Sequence, residues 1–171
     1  MVRVARFEKV SLRRFVTDWV ATFPQQTVEQ AVAAYERIRL PERATSGSAG
    51  YDLFAPVGFE LGAGEGIKIP TGLRVLIEEG WVLTIYPRSG LGFKYRFQLD
   101  NSVGVIDSDY ARSDNEGHIF MRMTNDNREG KSLLVPAGTA FAQGIFLPFG
   151  ITVDDDAQGV RNGGLGSTTG R

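Results

Sequence analysis

The chain has 171 residues, of which 42% are hydrophobic and 23% are charged, and these proportions are typical of one globular domain with its own core. Its net charge is −1, without the basic excess of most nucleic-acid-binding proteins. No run approaches the ~18 apolar residues of a membrane helix. We therefore expect a soluble, cytoplasmic protein that binds neither nucleic acid nor membrane.

The absence of cysteine and the presence of one histidine limit the available chemistry. Without cysteine there is no disulfide, thiolate nucleophile or thiolate zinc site. A histidine-rich metal site is excluded as well. Acid–base chemistry is therefore expected from carboxylates, or from a metal ion that the substrate carries in. His118 itself is predicted to be a strand residue with no special role.

The glycines divide the chain, because all 21 lie at Gly47 or later. Before them, apolar residues recur at helical spacing and predict two helices. Ser11 is the expected N-cap of the first, which Pro24 ends, and Thr27 begins the second with a capping-box spacing to Gln30. We interpret residues 1–40 as a helical extension. It is expected to form a hairpin docked on the main domain, with an arm that binds a partner protein as the alternative.

From Gly47 onward, short apolar runs alternate with Gly and Pro. Strands are predicted at 67–70, 73–77, 81–86 and 118–124. Many short strands with frequent turns favour a β-sandwich or barrel over βαβ units. Residues 41–153 are thus expected to form a mainly β domain, and residues 154–171 an acidic linker followed by a Gly/Ser/Thr-rich tail.

Two segments carry groups that suit phosphate. The segment 87–92 follows a predicted strand and presents the Arg88 guanidinium, the Ser89 hydroxyl and the Gly90 amide as donors. The tail from Arg161 combines glycines, hydroxyls and arginine, a composition that is also typical of a disordered terminus.

The segment 101–110 carries two carboxylates at the end of an apolar strand. Asp107 and Asp109 are two residues apart and share one face if the strand stays extended. Tyr110 follows and could stack on a ring or a sugar. The alternative is that the two aspartates only cap a turn.

Taken in order, these segments resemble the five motifs of the trimeric deoxyuridine triphosphatase (dUTPase) family. The motifs correspond to Gly47–Leu53, Pro87–Gly92, Gly104–Tyr110, Ala142-Gln143 and Arg161–Thr168. The long N-terminal extension is similar to that of phage-type members. The resemblance implies a jelly-roll-like β fold and a homotrimer with shared active sites. It also implies Mg²⁺-dependent hydrolysis of dUTP to dUMP and pyrophosphate.

The resemblance also implies a role for each matching residue. Asp107 would be the general base for a water that attacks the α-phosphorus, and Tyr110 would pack against the deoxyribose and exclude a 2′-OH. Mg²⁺ would be held by triphosphate oxygens and water, with Asp52 a candidate for orienting a metal-bound water. The uracil edge would be read by Asn101, Gly104, Val105 and Ile106. The phosphates would be bound by Arg88, Ser89, Gly90 and Gln143 and, from another subunit, by Arg161, Gly166, Ser167 and Thr168.

Three departures from the family pattern stand out. Leu165 occupies the place of an aromatic that covers the base. Six residues, 111–116, separate Tyr110 from Gly117 where the family usually has one, and we expect them to enlarge the nucleotide hairpin and affect specificity. The segment 138–143 lacks the usual Asp-Arg pair. The alternative functions are a dCTP deaminase of the same fold and a nucleotide-sensing regulator that binds another protein.

Overall fold

The computed structural model describes residues 2–159 and residue 161, and this part of the chain is mainly β. Its strands are β1 Ala5–Lys9, β2 Tyr51–Phe54, β3 Phe59–Leu61, β4 Gly66–Pro70, β5 Leu73–Ile77, β6 Trp81–Pro87, β7 Phe97–Leu99, β8 Gly104–Ile106, β9 Phe120–Asn125, β10 Leu133–Val135 and β11 Ala140–Pro148. Its helices are α1 Leu12–Thr22, α2 Val28–Glu36 and α3 Ser89–Tyr95, together with a 3₁₀ helix at Ser108–Arg112.

The strands pair antiparallel in four groups, in the orders β2-β11-β6-β8, β4-β9-β7, β1-β5 and β3-β10. The predicted mainly β, jelly-roll-like fold is confirmed, and β4, β5, β6 and β9 match the four strands expected from the sequence to within two residues. In β9 the predicted alternation is also present. Met121 and Met123 are buried in the core, whereas Arg122 between them is exposed.

The register of the four-stranded group positions the residues of interest. Gln143 on the central strand β11 lies opposite Asp52 on β2 and opposite Tyr86 on β6. On the other side of β6, Leu83 lies opposite Ile106 of β8. The end of β6 next to Arg88 therefore lies beside Asp52 and Gln143, and its start lies beside the end of β8.

Both predicted N-terminal helices are present. The Ser11 side chain accepts a hydrogen bond from the Arg14 N–H, and Thr27 and Gln30 form a reciprocal capping box. Phe15 and Trp19 of α1 are buried in the same apolar cluster as the strands. Strand β1, which pairs with β5, was not predicted. No helix among residues 2–159 and 161 is both long enough and apolar enough to cross a membrane.

His118 joins α1 to the β domain. Its side chain is fully buried, and Nε2 accepts a hydrogen bond from the Gly72 N–H at 2.8 Å. The neutral ring therefore carries its proton on Nδ1, which donates to Asp18 Oδ2 at 2.6 Å. Burial lowers the pKa of His118 more than Asp18 raises it, so the neutral form is favoured. The prediction that His118 lies in a strand is wrong, because the residue precedes β9, and its hydrogen bonds make it a structural link.

Candidate active site

Four polar side chains gather where β2, β11 and β6 lie side by side, and we call Asp52, Arg88, Ser89 and Gln143 the phosphate-side cluster. The Arg88 Nε lies 3.4 Å from Asp52 Oδ1. The Gln143 side-chain amide donates to the Pro87 carbonyl at 3.2 Å. Both interactions are partly exposed to solvent, so the cluster presents donors without being closed off from a ligand.

The cluster lines a cavity of about 710 Å³, a volume within the range of small-molecule sites. Gly50 is part of its wall, and a Cβ there would lie 2.7 Å from Gln143 Oε1. Glycine at this position therefore leaves room for the Gln143 amide. Ser89 and Gly90 are exposed in the first turn of α3. The predicted turn after β6 is thus the start of a short helix.

The residues expected to read the base lie at β8, on the far side of β6. Asn101 is exposed in the turn before this strand. Among the described residues β8 pairs only with β6, so its outer edge offers unpaired backbone donors and acceptors. A Cβ at Gly104 would lie 3.1 Å from the Cβ of Ile85. This close contact makes a larger residue at position 104 unfavourable.

Asp107 leads from β8 into the 3₁₀ helix, and its side chain makes no capping hydrogen bond. The interpretation of Asp107 as only a turn cap is therefore wrong. The chain also does not stay extended, because Asp109 already lies within the 3₁₀ helix. The two carboxylates still converge: Arg161 forms an ion pair with Asp107, and its Nε lies 2.9 Å from Asp109 Oδ1.

Tyr110 is only 4% exposed, and its ring lies 5.8 Å from the Arg161 guanidinium. Its hydroxyl donates to the His118 carbonyl at 2.8 Å and accepts from Asn115 Nδ2 at 2.9 Å. Burial raises the pKa of Tyr110, although the Asn115 hydrogen bond and the Arg161 charge act against it. The phenol therefore stays neutral and acts as a fixed wall.

The phosphate-side cluster and Asp107 lie at opposite ends of β6. Leu83 pairs with Ile106, the last residue of β8. Asp107 follows directly, and extending the register by one residue places it level with Val82, six positions before Arg88. At ~3.3 Å per residue this is a separation of about 20 Å along the strand. It exceeds the combined reach of an arginine and an aspartate side chain. One chain alone therefore does not bring the two groups onto one phosphorus atom.

Arg161 lies on the two aspartates of its own chain, not on the phosphate-side cluster. The other predicted tail residues fall outside the described part of the chain. These are Leu165, Gly166, Ser167 and Thr168. Of the tail residues predicted to contact phosphate, Arg161 is thus the one whose position is described.

Sequence reasoning missed two residues that contact the Tyr110 region. Asn115 donates to the tyrosine hydroxyl, and the His118 carbonyl accepts from it. The extra segment 111–116, directly after Tyr110, was the sequence feature that could have indicated these contacts. A loop inserted beside a site residue packs on neighbouring residues, and that site residue is the nearest of them. Its contacts with residues distant in sequence could not be read from spacing alone.

Comparison with known proteins identifies the family. The family model described as dUTPase matches residues 36–169. The deoxyuridine 5′-triphosphate nucleotidohydrolase of Lactococcus lactis subsp. lactis is 43% identical over 134 residues, which cover 77% of this chain and 88% of that protein. The crystal structure of the Streptococcus mutans dUTPase is similar at 34% identity and a TM-score of 0.62, covering 85% of this chain and 97% of that one.

A more distant structure extends the similarity of fold. A mutant dUTPase from phage phi11 of S. aureus, whose structure reveals a coordinated structural Mg(II) ion, has a TM-score of 0.63 at 19% identity. It covers 92% of this chain and 98% of its own. At that identity the likeness concerns the fold alone. The family match and the bacterial relatives cover the motifs on both sides of β6, and the chain belongs to the dUTPase family.

Proposed function

We propose that the chain hydrolyses dUTP to dUMP and pyrophosphate. The observation that carries the proposal is the pair of complementary half-sites at the two ends of β6. One end presents phosphate donors around a cavity. The other end presents the carboxylate of Asp107, which makes no capping hydrogen bond to the 3₁₀ helix. This carboxylate lies beside the buried ring of Tyr110 and the open edge of β8.

In this mechanism Asp107 accepts a proton from a water molecule, whose oxygen attacks the α-phosphorus. The bond between that phosphorus and the bridging oxygen to the β-phosphorus breaks, and pyrophosphate leaves with the bonding electrons. Arg88, Ser89 and Gln143 stabilise the negative charge on the phosphates through hydrogen bonds. Arg161 now neutralises Asp107. It must move from that carboxylate for the base to accept a proton, and the phosphates offer it a stronger anionic partner.

A magnesium ion fits this site as a substrate-bound ion. The Asp52 carboxylate lines the cavity and is partly exposed, and carboxylate oxygens suit Mg²⁺, which keeps several of its waters. Asp52 would hold a water of the hydrated ion. Bound to the triphosphate, Mg²⁺ would neutralise charge on the phosphate oxygens.

We further propose that each active site is completed by a second copy of the chain, in a homotrimer. The separation of about 20 Å along β6 requires Asp107 of one chain to meet Arg88 of another. The end of β11 and the segment after it support assembly, because they expose apolar side chains that a neighbour would cover. These are Leu147, Phe149, Ile151 and Val153. Ser167 and Thr168 of the tail would then close over the phosphates.

The activity is tested by incubating the protein with Mg²⁺ and, separately, with dUTP, dCTP, dTTP, dATP, dGTP or UTP. Pyrophosphate, monophosphate and ammonia are measured. We expect pyrophosphate and dUMP from dUTP, and a loss of about 10²–10⁴-fold in Asp107→Asn, the usual contribution of a general base. Asp155→Asn, an exposed aspartate of the acidic linker, is the matched control. Ammonia release from dCTP would instead establish a deaminase, and equal release from all nucleotides would contradict dUTP specificity.

The shared site is tested by complementation. Arg88→Ala and Asp107→Asn each inactivate one half-site of every chain. When the two variants are co-expressed, random assembly joins an intact Arg88 to an intact Asp107 in about a quarter of the sites. We expect activity to return to about that fraction of the wild type. If mixed assemblies form and remain inactive, the two halves act within one chain and the shared site is wrong.

A further inference from the structure

The six residues after Tyr110 fold back onto the tyrosine itself. Asn115 Nδ2 donates to the Tyr110 hydroxyl at 2.9 Å, and Asn115 Oδ1 accepts from the Gly117 N–H at 3.1 Å. The same hydroxyl donates to the His118 carbonyl. Both hydrogen-bonding directions of the phenol are thus satisfied by residues at the end of, or just beyond, the segment 111–116.

Glu116 ties this segment to the start of α1. Its carboxylate accepts hydrogen bonds from the Ser11 N–H at 2.8 Å and from the Ser11 hydroxyl at 2.7 Å. Burial acts to raise the pKa of Glu116. The two Ser11 hydrogen bonds and the nearby charges of Arg74 and Arg14 outweigh burial, and the pKa lies below its ordinary value. The carboxylate is therefore ionised and remains a strong acceptor.

The backbone of the segment is held at both ends. At its start, the Arg74 side chain donates to the Ala111 carbonyl at 3.2 Å. At its end, Glu116 and Gly117 have φ values of +60° and +70°, and such a value is uncommon for a residue with a Cβ. The contact with Ser11, more than 100 positions earlier, stabilises this conformation at Glu116.

We propose that Asn115 and Glu116 are positioning residues that hold the Tyr110 ring in place and so set the preference for deoxyribonucleotides over ribonucleotides. This rests on the proposed function, in which Tyr110 packs against the deoxyribose. A steric wall rejects an added hydroxyl only as strongly as the wall resists displacement. Here the resistance comes from the segment 111–116 and from Ser11 at the start of α1, which links the N-terminal extension to substrate choice.

The test compares kcat/KM for dUTP and for UTP in Asn115→Asp and Glu116→Gly. The first variant keeps an acceptor for Gly117 and removes the donor to Tyr110. The second removes the carboxylate and suits the left-handed backbone. We expect the dUTP/UTP ratio to fall about fivefold to tenfold in Asn115→Asp, as for loss of one hydrogen bond, and about threefold in Glu116→Gly. Glu116→Gln, which can still bond Ser11, should recover most of the ratio.

Two controls separate positioning from general damage. Glu79→Gly makes the same change in the exposed turn between β5 and β6 and should leave the ratio unchanged. In a Tyr110→Phe background, Asn115→Asp should have no further effect on the ratio, because its partner hydroxyl is gone. An unchanged dUTP/UTP ratio in both variants, each assayed as folded protein below its own melting temperature, would overturn the proposal. An effect of Asn115→Asp that persists in the Tyr110→Phe background would overturn it as well.

Binding of dUMP and UMP, measured by calorimetry, distinguishes this proposal from the proposed function. A wild-type chain that binds dUMP over UMP without hydrolysing dUTP would contradict the hydrolase assignment alone. Weaker discrimination in Asn115→Asp would then still support the positioning role. A wild-type chain that binds dUMP and UMP equally would overturn the positioning role.

Discussion

The two ends of β6 differ in how completely their polar groups are satisfied. At the Arg88 end, the phosphate-side cluster is partly exposed, lines a cavity and is held by a loose ion pair with Asp52. At the other end, Tyr110 and His118 are buried and fully hydrogen-bonded. Asp107 is intermediate between the two ends: its carboxylate is 46% exposed, and among the described residues it forms an ion pair with Arg161 alone.

This difference indicates which parts of the candidate site are already ordered before a ligand binds. Buried polar groups must be satisfied within the protein, so the surroundings of Tyr110 are fixed before any ligand arrives. The side chains of the phosphate-side cluster remain partly exposed and can exchange water for a ligand. Changes at the Tyr110 end should therefore affect folding and activity together, whereas changes at the Arg88 end should affect activity alone.

The largest expected effect on stability is that of Gly117→Ala. A Cβ at Gly117 would lie 2.6 Å from the Ala111 Cα, in a backbone with φ of +70°. We expect a loss of about 3 kcal/mol in the free energy of unfolding, from strain and overlap together. Gly130 has nearly the same φ, and apart from its two chain neighbours no described residue has an atom within 4 Å of a Cβ added there. Gly130→Ala should therefore lose only about 1 kcal/mol. Equal losses in urea unfolding would show that the Tyr110 end is less tightly packed than we infer.

Arg88→Ala should produce the opposite pattern. Loss of a charged hydrogen bond to phosphate is expected to lower kcat/KM for dUTP by about 10- to 100-fold. Its ion pair with Asp52 is partly exposed, so the melting temperature should hardly change. Arg128→Ala, at an exposed turn, should alter neither quantity. A large drop in melting temperature in Arg88→Ala would break the distinction between the two ends.

The smallest expected effect is a pH dependence at His118. The ordinary pKa of this side chain is 6.5, and burial lowers it in the folded protein. Below pH 6.5 His118 is therefore protonated in the unfolded chain but stays neutral in the folded chain. The free energy of unfolding consequently falls as the pH falls toward the lowered pKa of the folded protein. The slope is at most about 1.4 kcal/mol per pH unit for one proton.

His118→Gln tests this dependence, since glutamine can accept from Gly72 and donate to Asp18 without titrating. Urea unfolding of both proteins at pH 7.5 and 5.5 should show a smaller acid-induced loss in the variant. The pKa of Glu116 is also lowered, and this residue makes stability depend on pH only at lower pH values. Because Glu116 is present in both proteins, it does not affect the comparison. If both proteins lose the same free energy of unfolding between pH 7.5 and 5.5, His118 is not the cause of the acid-induced loss of stability.

Much of the fold could be predicted because its signals are local. Ser11 and Thr27 cap helices through bonds to residues three positions away, and strand alternation is visible within six residues. Strand β1 was missed because Arg6, Glu8 and Lys9 dilute its apolar pattern, and because its pairing partner β5 lies about 70 positions later. The cytoplasmic location, the absence of nucleic-acid binding and a regulatory protein partner stay predictions.

The candidate site was predictable as a set of residues but not as a geometry. Motif order and residue types pointed to Arg88, Asp107 and Gln143. Their separation into two groups depends on strand register, which spacing along the chain does not give. The bonds of Asn115 and His118 to the Tyr110 hydroxyl depend on how an inserted segment folds, and short loops carry little periodic signal.

The seven-residue length of β6 also limits how this protein can change in evolution. Inserting one residue would turn every later side chain of the strand to the opposite face. Inserting two would restore the faces but lengthen the strand by about 7 Å, and in the proposed trimer the groups at its two ends would then no longer meet their counterparts on neighbouring chains. Insertions should therefore accumulate in the loops and termini, as the segment 111–116 does, whereas the length of β6 should stay constant.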